Sequence, residues 1–354
     1  MINQLTLKNF TTFNQKGITV DFSPKINVII GENGTGKTHL LKAAYSLCAG
    51  APLFKNKPDT TEDDLQAALT AKLVRVLMPL EEKLGKLHHQ GATDQTSLQA
   101  QFDHDQKIVA TFFNNSKAIA IQNRKNYERY QAEAVYIPTK EVLSFMKGFN
   151  SLYEKYGLSF DQTYQDICLL LDLPQIRAEN LHEKSKWAMD EIKRICGGSF
   201  IFYGGGNVTF KTENAEFSAN AMAEGFRKMG MLSRLLETGA IRPGISGPLF
   251  WDEPESNMNP KLMKLLVEIL LELSRNGQQI ILATHDYVLL KWFDLLIDKN
   301  KDDVSFHALF RDEAGNVKID TVKDYRSIAP NVIADTFNDL TKEQVNKKMG
   351  GLGK

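Results

Sequence analysis

The sequence predicts an α/β fold: a mixed central sheet around a phosphate-type loop, with an antiparallel β subdomain and a helical insertion. Three observations carry that expectation. Residues 31–38 read GENGTGKT, after the apolar run Ile26-Asn27-Val28-Ile29-Ile30 and before a helix-like stretch. Residues 98–122 alternate apolar and polar side chains, as antiparallel strands do. After residue 217 the pattern becomes helix, strand, helix, strand, which implies parallel strands joined by crossover helices.

Residues 2–30 read as three strands: QLTLKNF, ITVDF and INVII, the last buried because it is nearly all apolar. THLLKAAYSLCA, residues 38–49, forms the next helix, ended by Gly50 and Pro52. Leu65, Leu69, Leu73, Leu77, Leu80, Leu84 and Leu87 recur at spacings of four and three and predict one helix over roughly 60–88. It packs on its own domain or makes a short coiled coil, because roughly two or three heptads build no long arm. AVYIP at 134–138 is a strand closed by Pro138, and 139–197 is mostly helical. FIFYGGGNVTFKT at 200–212 turns as a hairpin on Gly204-Gly205-Gly206. A last hairpin, VSFHALFRDEAGNVKIDTV, precedes a polar tail.

The chain holds 43 basic and 43 acidic residues among 354, so no bulk charge draws it to nucleic acid or an anionic membrane. Its opening, MINQLTLKNF, lacks a charged region followed by an apolar one, and no apolar stretch is long enough to span a bilayer. Cys48, Cys168 and Cys196 are odd in number and widely spaced, which suggests reduced, buried thiols in a cytoplasmic protein. His88, His89 and His104, with Asp103 and Asp105, match no metal-ligand spacing and read as a solvated turn. Arg124, Lys125 and Arg129, and the group Lys184, Lys186, Lys193 and Arg194, either track a phosphate backbone or form ordinary surface; the surface reading is favoured.

The spacing G-x-x-x-x-G-K-[ST] fits a loop whose backbone N–H groups curl around phosphate oxygens. Gly31, Glu32, Asn33, Gly34, Thr35, Gly36, Lys37 and Thr38, with the adjoining His39, are therefore candidate nucleotide-binding residues. Lys37 would reach the β- and γ-phosphates of ATP, and the Thr38 hydroxyl would ligate Mg²⁺. Pro248-Leu249-Phe250-Trp251-Asp252-Glu253 reads as a buried strand ending in two carboxylates. Asp252 would hold the metal and Glu253 would polarise the attacking water; the alternative is a solvated acidic turn. His285, at the tip of the strand QQIIL, is placed to donate a hydrogen bond to the γ-phosphate, although a lone histidine is more often structural.

GENGTGKT, FWDEPESNMNP and ILATHD in that order resemble the ATP-binding head of the ABC superfamily, in the branch that includes SMC and RecF. LTLKNFTTF resembles that branch's first strand. The resemblance implies one ABC-type ATPase domain over 1–354, with helical insertions at about 55–97 and 139–197 and a tail at about 326–354. It implies that Ser256-Asn257-Met258-Asn259-Pro260 is the D-loop at the dimer interface. It implies too that residues 222–228 hold the signature motif, with Ala223, Glu224 and Gly225 facing a partner's γ-phosphate. Ala223 stands where a serine is expected, and Ser218 lies too far upstream to replace it. Lys140 or Glu141 would take the Q-loop role, with Gln122 and Gln131 nearby. Phe10, Thr12 or Phe13 would line the adenine or pack in the core.

What the resemblance implies for function is an ATPase whose two heads sandwich two nucleotides, as a homodimer or higher homo-oligomer. Stand-alone heads of this kind resemble the ATPases of bacterial anti-phage defence, Septu-like or retron-associated, in which a separate effector protein, a nuclease or toxin, is restrained. A DNA-clamping repair ATPase and an ATP-gated scaffold with little turnover are the alternatives.

Overall fold

The apolar runs at the start of the chain become β1 (Ile2–Lys8), β2 (Ile18–Asp21) and β3 (Ile26–Gly31). The structure, a computed structural model, describes residues 1–54 and 61–350. The start of the expected insertion at 55–97 therefore lies outside the described residues. Helix α1 (Lys37–Gly50) follows the phosphate-type loop and runs on into a 3-10 turn, Ala51–Phe54. Helix α2 (Glu62–Leu77) begins at Thr61, whose hydroxyl accepts from the Asp64 N–H in a capping box.

The leucine repeat does not continue as one helix to residue 88. Met78 takes a left-handed conformation with φ 46° and Pro79 follows, so α2 stops and Leu84 and Leu87 bury through a short 3-10 turn. Leu65, Leu69 and Leu73 share one core with Leu40 and Leu41 of α1, so the helix packs on its own domain.

Strands β4 (Thr96–Phe102), β5 (Gln106–Phe112) and β6 (Ala120–Lys125) join β1 and β2 in an antiparallel sheet of order β2-β1-β4-β5-β6. After β7 (Val135–Ile137), the stretch within 139–197 carries α3 (Phe149–Tyr156), α4 (Gln162–Leu171) and α5 (Glu183–Cys196). The glycine hairpin pairs β8 (Ser199–Phe202) with β9 (Val208–Lys211), and a further short strand, β10 (Glu216–Ser218), adds to it.

Next come α6 (Glu224–Glu237), β11 (Leu249–Asp252), α7 (Pro260–Arg275) and β12 (Ile280–Ala283). Helix α7 starts where the Asn259 side chain accepts from the Lys261 N–H and Pro260 takes the first position. Helix α8 (Tyr287–Leu296), capped by Asp286, was not among the elements expected from the sequence. The hairpin β13 (Val304–Arg311) and β14 (Val317–Val322) follows. The polar tail is a helix, α9 (Val332–Gly350), with the Phe337 ring stacked on Tyr287 at 4.1 Å.

The central sheet has the order β14-β13-β3-β12-β11-β7, parallel except for the edge strand β14. Both faces are buried. Val28, Trp251 and Leu282 face a core shared with α6, α7 and α8, whereas Ile29, Phe250 and Ile281 face α1, α2 and the antiparallel sheet. Asp252 pairs with Ala283, and Ala283 with Ile29, so the carboxyl ends of β11, β12 and β3 lie in one row. That end is where open α/β sheets place a ligand crevice. Cys48, Cys168 and Cys196 are free and buried, and burial pushes each thiol up to about 12.

Candidate nucleotide-binding site

The loop after β3 runs along the protein surface at Glu32, Asn33 and Gly34, then turns inward at Thr35. The Thr35 hydroxyl donates to the Glu32 carbonyl at 2.8 Å and tightens the curl. Gly36 begins α1 at φ 94°, and a Cβ there would lie 2.5 Å from Thr12 Oγ1 and 2.8 Å from Phe13 Cζ. Only glycine fits that left-handed, crowded position. Lys37 Nζ donates to the carbonyls of Gly31 at 2.7 Å and Glu32 at 3.1 Å, across the mouth of the loop. Burial lowers the Lys37 proton affinity, and the nearby Glu253, Asp252 and Glu255 oppose that change. His39, on the first turn of α1, has its proton affinity lowered by burial and then by Lys42.

The row of strand ends brings the two halves of the site together. Thr38 Oγ1 donates to Asp252 Oδ2 at 3.0 Å. Burial raises the Asp252 carboxyl's proton affinity, and the Thr38 bond works against it. Tyr136 and Thr139, from β7 and the turn after it, also bond Asp252. His285 Nδ1 lies 3.0 Å from Glu253 Oε1. Glu253 itself is at φ 47°, uncommon for a residue with a Cβ.

Two clamps hold that turn. The Glu253 N–H donates to the Ala283 carbonyl at 2.9 Å. Lys228 of α6, only 1% exposed, donates from Nζ to the Glu253 carbonyl at 3.3 Å and the Ser256 carbonyl at 2.7 Å. Burial lowers the Lys228 proton affinity, and Glu224, Glu255, Glu253 and Glu141 counter it.

A second cluster gathers where α6 starts. Ala223 caps the helix without a side-chain bond, and Glu224 Oε2 accepts from Asn257 Nδ2 at 2.9 Å. A Cβ on Gly225 would lie 3.3 Å from Met258 Cα, so the 256–260 turn packs directly on this glycine. Among the described residues, no hydrogen bond or ion pair joins Ala223, Glu224, Gly225 or Asn257 to residues 31–39. Ser218 does not serve this helix; its hydroxyl caps the 3-10 turn before it, accepting from the Asn220 N–H.

Phe10 and Phe13 are fully buried core residues and present no face to a base. Glu141 is 4% exposed and ion-paired with Arg227 at 2.8 Å, so it ties the turn after β7 to α6. Lys140 is exposed. His88 bonds Thr96 and Ala92, His89 bonds the Thr11 carbonyl, and no cluster of three or more His, Cys, Asp or Glu side chains placed to hold a metal occurs among the described residues. Lys184 pairs with Glu272 and Lys125 with Asp105, as ordinary surface charges do.

Residues not anticipated are Tyr136, Thr139, Lys228, Glu255 and Arg311. Arg311, at the end of β13, donates to the Gly34 carbonyl at 2.9 Å and the Gly315 carbonyl at 2.8 Å. For Lys228 a signal existed: it lies one helical turn beyond Glu224 on an otherwise apolar face.

The donors present fit ATP and Mg²⁺. The glycine cradle is open at Gly34 and closed at Gly36, and the buried Thr12 hydroxyl beside it has no hydrogen-bond partner among the described residues. A hydroxyl and a carboxylate side by side, Thr38 and Asp252, are the hard oxygen donors that Mg²⁺ takes.

Comparison with known proteins decides the family. Residues 1–196 match the model described as AAA ATPase domain. The chain belongs to that family. Residues 208–291 of this AAA ATPase domain protein match a second model, described as AAA domain, putative AbiEii toxin, Type IV TA system. Among curated proteins, it is similar to the DNA replication and repair protein RecF of Limosilactobacillus fermentum, 29% identical over 120 residues, 34% of this chain and 30% of the relative. It is also 54% identical over 64 residues to RecF of Oenococcus oeni, 18% of this chain and 16% of the relative. The matched stretches thus span under a third of these relatives. Among solved structures, the SMC head domain from Thermotoga maritima covers 91% of this chain and 98% of its own, with TM-score 0.52 and 13% identity. The Smc head domain derived from Pyrococcus furiosus, with an extended coiled coil and bound to the C-terminal domain of ScpA, covers 97% and 99%, with TM-score 0.51 and 12% identity. The fold of this AAA ATPase domain protein is that of the SMC heads, and the expected SMC/RecF-like ATPase head holds.

Proposed function

We propose that this chain is an ATP-hydrolysing head that closes in pairs around two nucleotides and, by closing, restrains a separate effector, a nuclease or toxin, in anti-phage defence. The observation that carries the hydrolytic part is the pairing of Thr38 with Asp252 beside Glu253 and His285. Gly31 to Thr38 would hold the triphosphate through backbone N–H groups and Lys37. Thr38 and Asp252 would hold Mg²⁺, which when bound neutralises charge on the phosphates. Glu253, steadied by His285, would orient a water molecule and take its proton. Among the described residues the cluster of Ala223, Glu224, Gly225 and Asn257 has no bond to residues 31–39, and it would meet the nucleotide of a second copy. Similarity to the AbiEii-described model over 208–291 supports the defence setting. Similarity to RecF supports a second reading, a DNA-clamping ATPase.

The test compares wild type with Glu253→Gln. Turnover should fall by about 10²–10⁴ in the variant, while ATP-dependent dimers persist in light scattering. If neither protein hydrolyses ATP yet both dimerise with it, the chain is an ATP-gated scaffold. Co-purification from the native operon with a nuclease or toxin supports the defence reading. Turnover stimulated by duplex DNA without such a partner supports the second.

A further inference from the structure

Glu255 lies one proline beyond Glu253, is 5% exposed, and was assigned no role by its motif. Its Oε1 accepts two hydrogen bonds from consecutive residues at the tip of β12: the Thr284 hydroxyl at 2.7 Å and the His285 N–H at 3.2 Å. Thr284 Oγ1 also accepts from the Asp286 N–H at 3.0 Å, so its one proton is committed to Glu255. Asp286 in turn caps α8. The backbone that carries His285 is thus fixed from both sides. The imidazole itself is half exposed, with Nδ1 3.0 Å from Glu253 Oε1 and 3.8 Å from Glu255 Oε1.

We propose that Glu255 is a positioning residue that holds His285 against Glu253. The proposal rests on the ATPase reading of this site. A half-exposed imidazole on a free loop would sample several rotamers. Bonds from its own N–H and its neighbour's hydroxyl to one buried oxygen fix the backbone from which the imidazole reaches Glu253. The other oxygen, Oε2, is buried without a hydrogen-bond partner among the described residues. An unpaired buried oxygen is costly, so a carboxylate kept here for packing alone would be a poor solution. Glutamine offers the same accepting oxygen as Oε1 and should therefore replace Glu255 with little loss.

The experiment uses the full chain with Glu255→Ala and Glu255→Gln, each alone and combined with His285→Ala. Glu255→Ala should lower kcat about tenfold with KM for ATP changed less than about twofold. Glu255→Gln should stay close to wild type. In the His285→Ala background, Glu255→Ala should cost less than about twofold more, because the two residues act as one unit. Two-bond ¹⁵N–¹H correlation should show the Nδ1–H tautomer of His285 in wild type and in Glu255→Gln, and a mixture in Glu255→Ala. Additive losses with His285→Ala, failure of glutamine to rescue, or an unchanged tautomer in Glu255→Ala would each overturn the proposal. If wild type does not hydrolyse ATP, the ATPase reading fails while the tautomer still decides the role of Glu255. If Glu255→Ala does not fold, Thr284→Val removes one of the two bonds from the other side, and the same outcomes apply.

Discussion

Gly36 sits at φ 94° against Thr12 and Phe13, so Gly36→Ala combines a left-handed strain of about 1–2 kcal/mol with a steric clash. We expect nucleotide affinity to fall more than about tenfold in a fluorescent-nucleotide titration, with a lowered melting temperature. Lys228→Met strips the donor from two carbonyls on the turn that carries Glu253. Urea unfolding should show a loss of about 2 kcal/mol, and turnover should drop with it. Lys37, Thr38, Asp252, Glu253 and His285 were legible in the sequence because each sits at a fixed offset from a strand end. Glu255 was not, because its partners lie 29 and 30 residues away along the chain. Phe10 and Phe13 show the opposite difficulty: aromatic type left stacking and core packing both open, and depth makes them core.

At the scale of elements, the pair Glu141–Arg227 joins the turn after β7 to the helix whose start carries Ala223 and Gly225. Removing one partner of a largely buried pair strands the other charge. Glu141→Ala should therefore destabilise by about 3 kcal/mol in urea melts, well beyond a surface pair such as Lys264–Glu268. Strands were the more readable elements, since the apolar runs of β3, β11 and β12 are buried on both faces. Helix ends were less so. The leucine spacing carries on past residue 77, yet Met78 and Pro79 end α2 through backbone conformation, which periodicity does not encode. The three residues of β10 are all exposed, so no alternation marked them.

For the molecule as a whole, the central sheet is pinned by a buried polar chain. His307 of β13 bonds Thr321 of β14 at 2.9 Å and Asn27 of β3 at 3.1 Å. Burial lowers its pKa from 6.5 to about 4. Between those values the unfolded chain binds the extra proton and the folded chain does not, so stability is full above pH 6.5 and declines as pH falls towards 4. The decline should reach about 3 kcal/mol. Denaturant melts at stepped pH should show it, and His307→Gln should flatten that segment of the profile. The sheet order could be anticipated only in outline, because the alternation of strands and helices says nothing of which strand lies beside β3.

The turn after β13 touches the phosphate loop through Arg311 and meets the first hairpin through Asn316, which accepts from Asn14 at 2.7 Å. The three native thiols are buried. A single cysteine introduced at the exposed Glu313 on that turn should therefore take a dye selectively, and its emission would report occupancy of the loop in real time.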